Sequence, residues 1–133
     1  MDYTKWRCTL WKRNGNIQAP RTGIISVAGQ SFTVNQSAVP NAPPLVSVTS
    51  PTTGQMFTPN QSILISAAAS DTDGSVTKVE FFRGTVKLGE DTTAPYSFNW
   101  TAVPAGTYAI TAKATDDFDG VTTSTVVSII VQT

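Results

Sequence analysis

The fold of this 133-residue chain is decided by the stretch Tyr96-Ser97-Phe98-Asn99-Trp100. Large aromatic and polar side chains alternate along it, and side chains two residues apart lie on the same face of a β-strand. Tyr96, Phe98 and Trp100 therefore share one face, and such a face in a sandwich usually points into the core. The stretch predicts a strand that contributes its aromatic face to a hydrophobic core.

Short segments of similar character recur on both sides of this stretch, with turn residues between them. The chain contains 21 Thr and 12 Ser, and Thr favours half-buried strands over helices. No segment of useful length has the helical period. We therefore predict an all-β sandwich. The predicted strands cover residues 45–49, 62–69, 76–82, 86–89, 96–100, 107–114 and 121–131.

Four segments are predicted along the chain. Three prolines between residues 40 and 44 are incompatible with a helix or a sheet interior, so residues 37–44 are expected to form a stiff linker. Two alternating apolar runs separated by a short glycine-containing turn predict a β-hairpin within residues 17–36. Residues 1–16 then form a basic N-terminal tail, and residues 45–133 form the sandwich.

Residues 43–133 resemble a bacterial Ig-like domain of the kind found in secreted glycoside hydrolases and adhesins. The resemblance implies a seven-stranded sandwich, no catalytic activity, and a role as spacer, stabiliser or adhesive unit. Residues 19–36 are similar, over that short length, to the last two strands of a BACON-like module, another small sandwich found beside carbohydrate-active domains. The first resemblance is carried, in order, by residues 44–51, 69–82, 88–100, 105–108 and 112–116.

Aromatic residues are expected to stabilise the sandwich, because the single Cys8 permits no internal disulfide. Tyr108 follows the turn at residues 104–106, where Ig-type sandwiches place a tyrosine whose hydroxyl bonds to nearby backbone. Core volume is expected from Phe81 or Phe82, together with Phe98 and Trp100.

The composition argues against catalysis and against nucleic-acid binding. The sequence has no histidine, which removes Ser-His-Asp and Cys-His catalysis and the commonest zinc ligand. The net charge is zero, so the chain has no general basic field for nucleic acid. No apolar run approaches 18 residues, so no membrane insertion is expected. The expected partners are proteins, either neighbouring domains or like subunits, and polysaccharides.

Five aspartates are candidate ligands for calcium, the one cofactor that the sequence suggests. Two of them follow the second strand and three precede the last, and Ig topology places these two loops at the same end of a sandwich. Ca²⁺ prefers carboxylate and carbonyl oxygens and tolerates irregular coordination. Asp and Gly are also the usual turn formers, so an ordinary turn role stays open. The five residues are Asp71, Asp73, Asp116, Asp117 and Asp119.

Three functions are compatible with these features. The first is a non-catalytic structural or adhesion module of a secreted or surface bacterial protein, located outside the cell. The second is a subunit of an extracellular filament in which residues 17–36 pair with a neighbour by strand addition. The third is a carbohydrate-binding accessory module. The role of residues 1–16 and of Cys8 stays open. The filament hypothesis assigns the assembly contact to Ile25, Val27, Phe32 and Val34.

Overall fold

The computed structural model describes residues 20–133, which contain eleven strands and, within that range, no helix. The predicted tail of residues 1–16, with Cys8, lies outside the described residues, as do residues 17–19 of the predicted hairpin segment. The chain divides into two compact units, Met1–Pro40 and Asn41–Thr133. The strands are β1 (Arg21–Val27), β2 (Gln30–Gln36), β3 (Leu45–Ser50), β4 (Met56–Phe57), β5 (Ile63–Ser70), β6 (Val76–Arg83), β7 (Val86–Asp91), β8 (Tyr96–Trp100), β9 (Gly106–Asp116), β10 (Val121–Thr123) and β11 (Val127–Val131).

The first unit contains the predicted antiparallel hairpin, formed by β1 and β2. Ala28 (φ 50°) and Gly29 (φ 80°) connect the strands, and two successive positive φ values suit the tight turns that match the twist of paired strands. Directly opposed residues such as Ile25 and Phe32 point to the same side of the ladder. One side of the hairpin is therefore largely apolar, and we call it the hairpin apolar face: Ile25, Val27, Phe32 and Val34.

The second unit consists of two sheets. The larger sheet has the strand order β4-β11-β9-β6-β7, and β10 also pairs with β9. The smaller sheet has the order β3-β5-β8. Neighbouring strands are antiparallel, except that β4 runs parallel to β11. Residues 37–44, the predicted linker, form no strand.

This unit has nine strands, whereas the sequence predicted about seven. The short β4 was missed because two residues are too few to show an alternating pattern. The predicted closing strand, residues 121–131, is in fact two strands separated at Ser124. There the Ala112 N–H donates to the Ser124 hydroxyl at 3.0 Å. A side chain thus replaces a backbone carbonyl as acceptor, so the ladder stops and resumes as β11.

The core lies between the two sheets. Phe81 on β6 is fully buried, and its ring centroid lies 6.4 Å from that of Phe98 on β8. Phe82 is only half-buried, because adjacent residues of a strand point to opposite faces. Of the two alternatives that the sequence left open, Phe81 therefore supplies the core volume. Fully buried aliphatic side chains from both sheets surround it: Ile63, Ile65, Val79, Ile110, Ile129 and Val131.

Candidate functional site

The two loops that carry the candidate calcium ligands meet at one end of the sandwich. The Asp117 N–H donates to the Ser75 carbonyl at 3.0 Å, and the Ser75 N–H donates to Asp117 Oδ1 at 3.0 Å. Asp119 is exposed and has a left-handed backbone (φ 64°), as turn residues often do. The remaining side chains form a cluster that we call the acidic end: Asn41, Asp71, Asp73, Asp116 and Asp117.

Asp116 is the most deeply buried member of the acidic end, with 2% of its surface exposed. Oδ2 accepts a hydrogen bond from Asn41 Nδ2 at 2.7 Å, and Oδ1 accepts from the N–H groups of Phe118 and Gly120, each at 2.8 Å. Burial by itself would raise the pKa of Asp116, but these three donors outweigh it and lower the pKa. Asp116 is therefore an ionised carboxylate that joins its own loop to Asn41, just before the first strand of the sandwich.

Asp71 lies in a different environment from Asp116. Its Oδ2 is buried with no hydrogen-bond donor among the described residues. Burial raises the pKa of Asp71, and the neighbouring charges of Asp73 and Asp116 raise it further. Asp71 Oδ2 and Asp117 Oδ1 both approach the space that a Cβ would occupy at Gly74, so a larger residue there would displace these carboxylates. The carboxylate of Asp71 is thus partly desolvated and incompletely satisfied.

This donor set fits a cation only in part. Asp71 offers an unsatisfied oxygen beside Asp117, which is the kind of hard ligand that Ca²⁺ takes. Asp116, in contrast, already accepts three hydrogen bonds. Within residues 20–133, no group of three or more candidate ligand side chains is placed to hold a metal ion. The calcium role of the five aspartates stays a prediction.

Two residues of the predicted linker bond to aspartates of the acidic end, which the sequence did not suggest. Asn41 donates to Asp116, and the Ala42 N–H donates to Asp73 Oδ2 at 3.0 Å. Neither residue has a pattern of its own in the sequence, and the proline-rich surroundings indicated only an extended chain. The chain is therefore attached to the sandwich several residues before the first sandwich strand begins.

Aromatic residues and Arg83 occupy the opposite end of the sandwich. The Tyr108 hydroxyl donates to the Pro104 carbonyl at 3.0 Å, which is the type of contact expected of a tyrosine corner. The Trp100 ring lies edge-on to Tyr108, with 4.9 Å between ring centroids. The guanidinium of Arg83, a residue that the sequence reasoning did not single out, lies over both rings. We call Arg83, Trp100, Pro104 and Tyr108 the aromatic end.

Glu80 is the buried glutamate of the larger sheet, with 8% of its surface exposed. Its carboxylate lies 2.7 Å from Lys87 Nζ, and Lys78 and Lys113 lie within 3.7 Å. The hydrogen bond from Lys87 lowers the pKa of Glu80, and the charges of all three lysines add to the effect against the opposing effect of burial. Glu80 is an ionised member of an ion-pair cluster on the outer face of the sheet.

The predicted assembly residues differ in their exposure. Phe32 is 56% exposed, and Ile25 and Val27 are each 37% exposed. Val34 is half-buried. The hairpin pattern therefore leaves large apolar side chains at the surface, although their use in assembly stays a prediction.

Comparison with known proteins identifies the sandwich. The sequence pattern of the family described as bacterial Ig domain matches residues 44–112, about half of the chain. The chain belongs to this family. A solved structure of fibronectin(III)-like modules of Clostridium thermocellum CbhA is similar, with 33% sequence identity and a TM-score of 0.63. The similarity covers 66% of this chain and 96% of that one, and it confirms the all-β, Ig-like sandwich.

A much longer protein also contains a similar stretch. Chitinase ChiA of Flavobacterium johnsoniae is 35% identical over 98 residues. That match covers 70% of this chain but only 6% of the chitinase. The family match begins at residue 44, so the similarity of residues 19–36 to a BACON-like module stays a prediction. Within the described part of the chain, no helix is long and apolar enough to span a membrane.

Proposed function

We propose that this chain contributes a non-catalytic Ig-like module that separates and supports other parts of an extracellular bacterial protein. The observation that carries the proposal is the position of the two ends of the sandwich. The chain joins the sandwich at the acidic end, where Asn41 and Ala42 bond to Asp116 and Asp73. It leaves at the aromatic end, where Val131 of β11 is paired with Gly106 of β9.

These two ends are separated by the length of β9. That strand runs for eleven residues from Gly106 to Asp116, which corresponds to about 35 Å at 3.3 Å per residue. A module whose ends are opposite each other adds its full length to the distance between its neighbours. A module whose ends were adjacent would project sideways and add little distance. The geometry therefore supports a spacer.

The comparisons support the same proposal. The stretch shared with the chitinase is a small fraction of that enzyme, which agrees with a module combined with larger parts. Non-catalytic character is supported by the lack of histidine and by the state of the buried carboxylates, since Asp116 and Glu80 are held ionised by fixed partners. Export is proposed from the family and from the relative's chitinase activity.

Small-angle X-ray scattering of two sandwich units joined head to tail tests the spacer proposal. We expect a maximum dimension roughly twice that of one unit, because each unit adds its long axis. A matched control joins the units through a flexible Gly/Ser linker, which broadens the distance distribution. A compact pair with a maximum dimension close to that of a single unit would contradict the proposal.

Assembly through the hairpin is a second candidate, supported by the exposed hairpin apolar face. Sedimentation velocity of the full chain, compared with a chain that begins at Pro43, tests it. If assembly occurs, only the full chain forms larger species, and Phe32→Asp abolishes them. Ser31→Asp is the matched control, because Ser31 is paired with Ser26 on the other face of the hairpin. Monomers of both chains at all concentrations would overturn this candidate.

A further inference from the structure

Arg83 occupies an unusual position for a charged residue. It is the last residue of β6, in register with Ile110 of β9, and the inner residues Val79 and Phe81 precede it at intervals of two. Its side chain therefore belongs to the row that faces the space between the sheets. Only the end of the sandwich, where the core opens, lets a guanidinium in this row reach water.

Two aromatic rings hold the guanidinium of Arg83. Its Cζ lies 5.7 Å from the centroid of the Trp100 ring and 5.9 Å from that of the Tyr108 ring. The rings meet at 80°, and the hydroxyl of Tyr108 is anchored on Pro104. A guanidinium on an aromatic face keeps its charge and loses part of its hydration. The cation is thus oriented before any ligand arrives.

Among the residues described, Arg83 makes no side-chain hydrogen bond or ion pair, and its Nε is buried with no hydrogen-bond partner. The lysines of the sandwich behave differently, because Lys78, Lys87 and Lys113 all lie within ion-pair distance of Glu80. A partly desolvated cation without a counter-ion attracts an anion more strongly than a hydrated surface lysine does. The positive charge of Arg83 is therefore not neutralised by any carboxylate among the described residues.

A groove of about 480 Å³ lies beside Arg83. The turn from Gly84 to Val86 forms one side, and the first part of β9, including Tyr108, forms the other. No acidic residue lines this groove, so nothing in its wall would repel an anion. Thr85 and Thr107 line it as well, and both are exposed. The groove is thus lined by one cationic residue, one aromatic residue and two hydroxyl-bearing residues.

We propose that this groove binds a uronic acid residue of an acidic polysaccharide, with the sugar carboxylate on the guanidinium of Arg83. Guanidinium and carboxylate match as two parallel N–H···O hydrogen bonds, which gives the contact a fixed orientation. The threonine hydroxyls can then bond to the hydroxyl groups of the sugar ring, which a simple carboxylate does not have. The groove is independent of the spacer role, so failure of one proposal leaves the other standing.

Titration of the full chain with trigalacturonic acid, followed by calorimetry and by ¹H–¹⁵N NMR, tests the proposal. We expect shifts for the Trp100 indole N–H and for the backbone amides of Gly84, Thr85 and Ala109. Arg83→Met keeps the aliphatic stem and removes the charge, so binding falls by about tenfold or more. Arg83→Lys keeps the charge without the paired donors and also weakens binding. Thr107→Val is expected to weaken binding of the sugar acid, because it removes a hydroxyl and leaves Arg83 in place.

Three controls keep the result interpretable. Neutral trigalactose is expected not to bind, and Lys113→Met, which removes a paired cation elsewhere on the larger sheet, leaves the affinity unchanged. Melting curves show which variants are folded. If Arg83→Met does not fold, the loss of affinity is measured with Arg83→Lys instead. Trigalacturonic acid that shifts none of these signals would overturn the proposal. A triglutamate peptide that binds as tightly as the sugar acid would overturn the assignment to a polysaccharide.

Discussion

The hairpin and the sandwich have the same alternation of apolar and polar residues, but only the sandwich buries its apolar side chains. Phe32 and Ile25 on the apolar face of the hairpin are 56% and 37% exposed. Phe81 and Ile65, on strands with a comparable pattern, are completely buried. A strand with one apolar face gains its hydrophobic stabilisation only when a second sheet covers that face. Alternation therefore specifies a two-faced strand, and the covering layer decides its contribution to stability.

Truncation of one phenylalanine in each region gives the largest expected contrast. Phe81→Ala removes a fully buried ring between the two sheets, so we expect the free energy of unfolding of the sandwich to fall by about 3–5 kcal/mol. Phe32→Ala removes an exposed ring and should change the free energy of unfolding by less than about 0.5 kcal/mol. Urea unfolding measures both. Equal losses of unfolding free energy for the two variants would contradict the claim that only the sandwich buries its apolar side chains.

The acidic end provides the next largest effect. Asp116→Ala leaves Asn41 and two backbone N–H groups without their acceptor, so we expect a loss of about 2–3 kcal/mol at pH 7. The pKa of Asp116 is lowered in the folded state, so its contribution is present above its unfolded pKa of about 3.9 and is lost as the pH falls through the folded value.

Unfolding at a series of pH values checks this dependence. The stability difference between the wild-type chain and Asp116→Asn should shrink as the pH is lowered from 7 into the acid range. The raised pKa of Asp71 acts in the opposite direction, because its protonated form is favoured in the folded state. A difference that stays constant down to acid pH would show that the charge of Asp116 contributes nothing.

Calcium binding, if the prediction holds, gives a smaller shift. An extracellular site of typical affinity, saturated by about 10 mM Ca²⁺, stabilises the folded state by roughly 1–2 kcal/mol. We expect the melting temperature to be higher in Ca²⁺ than in EDTA, and Asp71→Asn to abolish the difference. Mg²⁺ at the same concentration is the control. Identical melting curves in EDTA and Ca²⁺ would remove calcium from consideration.

Two tyrosine hydroxyls give the smallest expected contrast. The Tyr108 hydroxyl donates to Pro104 at 3.0 Å, whereas the Tyr96 hydroxyl donates to Val76 at 3.3 Å. Tyr108→Phe should destabilise the sandwich by about 1 kcal/mol, and Tyr96→Phe by less, because the longer bond is weaker. Thermal unfolding of both variants measures the difference. The corner role of Tyr108 would be untenable if the order were reversed.

Much of the fold could be predicted from the sequence, because alternation and turn residues act locally. They located the hairpin and most sandwich strands to within a residue or two. The two-residue β4 and the interruption at Ser124 could not be predicted, since both depend on a partner strand distant in sequence. The choice between Phe81 and Phe82 required the register of β6 against β9.

The candidate sites were less predictable than the fold. Aspartates in two turns could be expected to meet, since Ig topology places those turns together. The sequence did not distinguish Asp116, with three donors, from Asp71, with an unsatisfied oxygen. Arg83 carried no signal except its spacing from Phe81. Its contacts with Trp100 and Tyr108 join residues from three strands.

By itself, the sequence determined that the chain forms strands, where most of them begin and end, and that its sandwich is Ig-like. Only the tertiary structure decided which apolar faces are covered, which carboxylates accept hydrogen bonds, and which cation has no counter-ion among the described residues. The reason is physical. Strand propensity and turn chemistry depend on neighbours within a few residues, whereas burial and charge pairing depend on groups that folding brings together from distant positions.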